Sequence, residues 1–230
     1  MRRILNDLLN LFYPRLCLLC KKTLIDGEEQ ICLHCLSNLS YSHFSATANN
    51  PATQLFAGKI PFIHATAFLL FEKGGHVQQL IHALKYYSNK ELGYQLGKIA
   101  ALEYINKGLF SNVDCLVPIP LHPKKQRKRG YNQAEWIAMG IQSVTNIPIH
   151  TTAVRRIHST ETQTHKQVYE RWKNVQSLFE LSETETLDGK HILLIDDVIT
   201  TGATIEACIN TLLSTPDIQI SIFGLAIAHD

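Results

Sequence analysis

The 230-residue chain is 45% hydrophobic and carries a formal net charge of +2. That is enough apolar material for one α/β domain with a small appendage, and too little charge for nucleic-acid affinity outside a local patch. No run of about 18 apolar residues occurs, so no membrane-spanning helix is expected.

The chain begins Met1-Arg2-Arg3-Ile4-Leu5, basic and then apolar as a signal peptide is. Asn6, Asp7 and Asn10 interrupt the apolar stretch, and no small-residue cleavage site follows, so the cytoplasm is the expected compartment. Ile4, Leu5, Leu8, Leu11 and Phe12 share one face of a short helix, which is expected to pack on the main domain. An amphipathic membrane anchor fits less well, because the polar face carries few cations.

Two C-x-x-C pairs follow, Cys17 with Cys20 and Cys32 with Cys35, separated by 11 residues. Four thiolates in two tight knuckles can surround one structural Zn²⁺ tetrahedrally. Disulfides would suit an oxidising compartment, and a redox dithiol needs only one pair. His34 lies inside the second knuckle and is expected to be exposed, whereas Cys115 and Cys208 read as core thiols. The small and polar residues 45–59, with Asn49-Asn50-Pro51 and Gly58, read as a linker. The organisation is then an N-terminal helix and four-cysteine zinc module over 1–44, a linker over 45–59 and the main domain over 60–230.

Residues 63–72 predict a strand, and Val77, Leu80, Ile81 and Leu84 predict a helix ending at Lys85-Tyr86-Tyr87. A second helix is expected from Lys90 to Asn106, and a strand from Val113 to Val117 that Pro118 and Pro120 terminate. Five of the six residues 124–129 are basic: Lys124, Lys125, Arg127, Lys128 and Arg129. Following a strand end, this cluster reads as an anion site; a solubilising basic loop is the plain alternative. Tyr131 could stack on nucleic-acid bases, while Trp136 reads as core. A helix from Asn132 to Val144 leads to a short strand near 147–151. Residues 155–174 are polar and basic, with Arg155 and Arg156 as a second candidate DNA contact. They sit where a ligand-covering loop belongs, or form a solvated helix around 164–173.

The organising stretch is 191–205. Ile192 to Ile195 is an apolar run suited to a parallel strand buried on both faces. Asp196 and Asp197 follow where that strand should end, then Thr200-Thr201-Gly202-Ala203-Thr204, then a helical stripe of Ile205, Cys208, Ile209 and Leu212. A helix N-terminus binds phosphate, Gly202 permits close backbone approach, and the threonines add hydroxyl donors. Ionised carboxylates only accept hydrogen bonds, so they suit sugar hydroxyls or a Mg²⁺ ion. The expected ligand is a phosphorylated sugar. A final strand is expected over 218–228.

The stretch resembles the phosphoribosyl-pyrophosphate (PRPP) motif of type I phosphoribosyltransferases. The resemblance implies that Asp196 and Asp197 form the catalytic acidic pair on the ribose hydroxyls. It also implies that Thr200, Thr201, Gly202, Ala203 and Thr204 hold the 5′-phosphate. Over nearly its full length the chain resembles the ComF family of competence proteins. The resemblance is carried by the two knuckles, Leu84-Lys85-Tyr86, Val117-Pro118-Ile119-Pro120, Arg129-Gly130-Tyr131-Asn132-Gln133-Ala134, Thr160-x-x-Gln163, Arg171-x-x-Asn174 and Leu194 to Thr204. Ser88 stands where the family often has glycine. This resemblance implies a zinc-ribbon-like module on a type I phosphoribosyltransferase-like parallel sheet flanked by helices, with Pro118, Ile119 and Pro120 beside the phosphosugar. It implies a role in natural transformation, handling incoming single-stranded DNA in the cytoplasm near the inner face of the membrane, alongside other competence and recombination proteins. Three readings stay open: a binding protein for PRPP or DNA, an active transferase of ribose 5-phosphate, and a redox C-x-x-C protein.

Overall fold

The computed structural model describes residues 14–45, 49–86, 89–157, 178–182 and 187–228. The elements in chain order are α1 (Leu33–Ser37), α2 (Pro51–Phe56), β1 (Ala65–Phe71), α3 (His76–Tyr86), α4 (Lys90–Tyr104), β2 (Cys115–Pro118), α5 (Pro123–Arg129), α6 (Gln133–Thr145), β3 (Val154–Arg156), β4 (Phe179–Leu181), β5 (His191–Ile199), α7 (Ala203–Leu212) and β6 (Gln219–Ala228). The expected N-terminal helix and most of 155–174 lie outside the described residues.

The main sheet has the order β1-β6-β5-β2 with all strands parallel. Its two central strands are largely apolar through their buried middle because helices cover both faces. The pleat sorts their side chains. Leu193, Ile195, Phe223 and Leu225 face one core with α3, α4 and α6. Ile192, Leu194, Ile220 and Ile222 face the other, with α2, α7 and the antiparallel β3–β4 ribbon. The short strand expected near 147–151 reduces to a single parallel bridge between Ile149 and Leu116. Pro118 belongs to β2 as its last residue, paired with Ile195, rather than following it. Proline is tolerated there, at the end of a strand on the sheet edge. Among the described residues no helix is long and apolar enough to cross a membrane.

Residues 51–56, read as part of a linker, form α2. Asn50 caps it in a reciprocal box with Thr53, Pro51 occupies the first turn, and Phe56 is fully buried. This stretch is built into the core rather than strung between domains. The cysteine segment likewise shares a core with α3 and α4, through Leu24, Ile31 and Leu39 against Val77, Leu80 and Leu92. Backbone bonds from Leu70 to Ser40 (2.7 Å) and from Ser42 to Phe68 (3.0 Å) fasten its end along β1.

Helices α4 and α6 touch backbone to backbone. A Cβ at Gly97 would collide with the carbonyl of Ile137, and one at Gly140 with the carbonyl of Tyr94. Gly97→Ala and Gly140→Ala should therefore each destabilise the protein by roughly 2 kcal/mol in urea unfolding, despite alanine's better helix propensity. Unchanged stability in both variants would contradict the backbone contact.

Candidate functional site

Strand β5 runs further than its apolar residues. Asp196 and Asp197 lie inside it, with Asp196 paired opposite Gly224, rather than beyond its end as the sequence suggested. Being neighbours on a strand, they leave by opposite faces. Asp197 reaches α3, where its carboxylate lies 3.2 Å from the Lys85 Nζ. Asp196 faces Arg156 and accepts a 2.8 Å hydrogen bond from the Asp197 amide. Burial pushes the Asp196 carboxyl up to about 7 and the Asp197 charge adds to this, while the Asp197 amide, Lys85 and Arg156 pull the other way.

The loop after β5 turns at Gly202, whose φ of 78° is left-handed. Gly202 occupies the N-cap of α7 with no side-chain cap. The Ala203 amide makes only a long 3.5 Å bond to the Thr201 hydroxyl. Helix α7 therefore begins with amide groups available to an anion and the positive end of its dipole behind them. A small cavity of about 30 Å³ lies among Asp196, Thr200, Thr201 and Thr204. Close approach of a ligand is not the only reason for glycine here. A Cβ at Gly202 would lie 2.6 Å from the Phe56 ring of α2.

A cleft of about 440 Å³ opens over the end of the sheet. Asp196, Asp197, Thr200 and Thr204 form its floor, Lys85 and Tyr86 one wall, and Ile119, Pro120, Lys125, Arg129 and Arg156 the others. The 118–120 turn is held by bonds from the Ile119 amide to Ile195 (2.9 Å) and from the Asn132 side chain to Ile119 (3.0 Å). Pro118 lies within β2, and only Ile119 and Pro120 of this trio reach the cleft.

The basic cluster is not a loop. It forms α5, with His122 capping its start and Gly130, at φ 86°, ending it. The helical turn divides the cluster: Lys125 and Arg129, four apart, are half-buried in the cleft, while Lys124, Arg127 and Lys128 are exposed. Arg155 and Arg156 divide in the same way on β3, the first exposed and the second set against the Phe179 ring at 5.4 Å. The Arg156 Nε is buried with no hydrogen-bond partner. Tyr131 does not offer a base-stacking face. It is 7% exposed and its hydroxyl donates to the Leu84 carbonyl, because the turn after α5 tucks it under α3. Trp136 is half-buried, with Lys90 over its ring at 4.7 Å.

The sulfurs of Cys17, Cys20, Cys32 and Cys35 all lie within 4.8 Å of one another. The Cys20–Cys32 separation of 3.7 Å matches the roughly 3.8 Å that two ~2.3 Å Zn–S bonds subtend at a tetrahedral centre. None is in a disulfide. Burial and then the neighbouring sulfurs push Cys35 up to about 12. In Cys17 burial raises and amide bonds from Cys32, Cys20 and Leu19 lower, leaving it at about 6. A dication shared by four sulfurs would stabilise all of them as thiolates. His34 is exposed, and Cys115 and Cys208 are buried in the core.

Glu28 carries no motif that marks it in the sequence. Its carboxylate accepts from the amides of Ile25 (3.0 Å) and Leu33 (2.7 Å), tying the segment between the knuckles to the start of the second. Those bonds hold its carboxyl below the usual range. Lys85 is visible in the sequence only as part of a resemblance, since nothing local marks it as the partner of a carboxylate 112 positions away.

The phosphoribosyl transferase domain family matches residues 134–229, which hold β5, the loop after it and α7. Competence protein F of Haemophilus influenzae is 31% identical over 114 residues, 49% of this chain and 50% of that protein. The match thus spans about half of that relative's length. DNA utilization protein YhgH of Escherichia coli is 25% identical over 221 residues, covering 92% of this chain and 96% of that one. Competence protein ComFC of Bacillus subtilis is 35% identical over 98 residues, 43% of this chain and 38% of that one.

Two outcomes follow from the geometry. Purified protein should carry one zinc per chain by elemental analysis, and Cys20→Ser should lose it and melt earlier, since the knuckles share a core with α3 and α4. Zinc-free wild type would contradict the site. The second concerns pH. A carboxyl raised in the folded state contributes stability in full below about pH 4, and this is lost as pH rises through about 7. Asp196→Asn should therefore stabilise the ligand-free protein more at pH 8 than at pH 5, by on the order of 2 kcal/mol in urea unfolding. An equal effect at both pH values would contradict an Asp196 carboxyl that resists ionisation.

Proposed function

We propose that the chain is a ComF-family protein with a phosphoribosyltransferase-like domain, and that it serves natural transformation, handling incoming single-stranded DNA through a cleft that holds a phosphosugar. The observation that carries this reading is the convergence at the end of β5. One cleft joins an acidic pair, an uncapped helix N-terminus and the cations Lys85, Lys125, Arg129 and Arg156. Anionic and hydroxyl-bearing groups are the ligand chemistry such a set accepts.

In this reading the 5′-phosphate sits on the Ala203 and Thr204 amides with the threonine hydroxyls around it. Asp196 and Asp197 accept from ribose hydroxyls, and Lys125 and Arg129 face a pyrophosphate or a second phosphate. A Mg²⁺ ion held near Asp196 and Asp197 would supply positive charge that relieves the repulsion between the acids and the ligand. The exposed side of α5, with Lys124, Arg127 and Lys128, contacts strand phosphates, and Arg155 adds a cation of the same kind. Relatives named as competence and DNA utilization proteins support the biological setting, and the four-cysteine cluster supports a structural zinc ion. The proposed place of action is the cytoplasm, near the inner face of the membrane.

Asp196 favours a second reading. A carboxyl poised near neutrality can take a proton from an acceptor as ribose 5-phosphate moves from PRPP to it, with pyrophosphate leaving. Pyrophosphate release with any nucleobase would support transfer.

Calorimetry and salt titration test the binding reading. PRPP with Mg²⁺ should bind the wild type, and Lys125→Ala with Arg129→Ala should lose most of that heat. Each phosphate neutralised on a single strand contributes about −0.7 to the slope of log K against log salt. Replacing Lys124, Arg127 and Lys128 by alanine should flatten the slope for single-stranded DNA by about 2 and leave PRPP affinity unchanged. A triple variant with wild-type DNA affinity and slope would refute the assignment of α5.

A further inference from the structure

We propose that Tyr86 and His82 form a stacking platform for a nucleobase, so that the cleft takes a base-bearing nucleotide unit and not a bare phosphosugar alone. This rests on the phosphosugar reading of the cleft. Tyr86 is the last residue of α3 and is 66% exposed, more than any other large hydrophobic side chain among the described residues. Its ring lies 4.6 Å from that of His82, tilted by 39°, one helical turn back. Both rings line the cleft next to Lys85, whose ammonium meets Asp197.

The platform also borders a second groove, of about 400 Å³, between α3 and the first cysteine knuckle. Gln78 and His82 line both spaces, so cleft and groove meet along one face of α3. The groove's other wall is Leu18 and Leu19, with Lys21 at the rim held by a 2.9 Å bond to the Leu18 carbonyl. Aromatic rings, aliphatic walls, an amide side chain and a cation at the rim match the flat face, the polar edges and the phosphate of a nucleotide. PRPP has no base and would leave this half of the surface unused. A strand whose sugar-phosphate enters the cleft would place its base over Tyr86 and the neighbouring nucleotide towards the knuckle.

Four probes test this on the full chain with zinc present: PRPP, thymidine 5′-monophosphate, an oligothymidylate of about eight nucleotides, and the same oligomer made abasic. Tyr86→Ala should weaken the oligothymidylate by about 5- to 150-fold, the range for one stacked base, while abasic oligomer and PRPP change less than about twofold. Tyr86→Phe should retain wild-type affinity, and His82→Ala should lose part of it. Monophosphate binding with the same dependence on Tyr86 would assign the platform to free nucleotides as well as to strands. Equal loss, or no loss, for base-bearing and abasic oligomers would overturn the platform. Failure of wild type to bind PRPP would instead overturn the reading of the cleft, and the platform with it.

Discussion

Two adjacent carboxylates near the end of a buried parallel strand repel one another and resist burial, and the cleft is arranged around that problem. The pleat separates them, sending Asp197 to Lys85 on α3 and Asp196 towards Arg156 on β3. Neither cation is local in sequence. Counter-charge is thus drawn from two elements on opposite faces of the sheet, and each brings a wall of the cleft with it. The balance is incomplete, since Asp196 still favours its proton well above the ordinary carboxylate range. A ligand offering hydroxyl donors, or a divalent cation, would complete it.

The loop between β5 and α7 depends on packing as much as on its own residues. Gly202 must be glycine for its left-handed φ and for the Phe56 ring lying where a Cβ would be. Helix α2 thereby sets the height of the loop from below, and the same ring is buried in the core behind α7. On the other face the glycine contacts of α4 and α6 draw these helices together. The start of α6 is tied to the 118–120 turn through Asn132, so the cleft wall opposite α3 follows the position of α6.

Much of this is readable in the chain. The apolar 192–195 run, the last strand, the C-x-x-C spacing and the helix after the threonine loop each rest on a local rule, and each is found close to its expected place. The misreadings come where tertiary contacts decide. The small and polar residues 45–59 look like a linker until Phe56 finds Gly202. The basic run looks like a loop because its charges hide a capped helix, and only the helical turn shows that two cations face inward and three outward. Tyr131 looks available for stacking in the sequence, whereas Tyr86, which is exposed, is marked only by a helix end and by the Leu84-Lys85-Tyr86 resemblance, neither of which shows an open ring. The pairing of Lys85 with Asp197 is a long-range fact that no window of sequence contains.

The account stands on the end of β5 and the start of α7 being an anion-binding unit. Amide hydrogen exchange resolved at residues 202–205, with and without ribose 5-phosphate and Mg²⁺, addresses that unit directly. The account predicts marked slowing at the Ala203 and Thr204 amides, with little change at the opposite end of the sheet around His191. Unchanged exchange at those two amides under saturating ligand would contradict it.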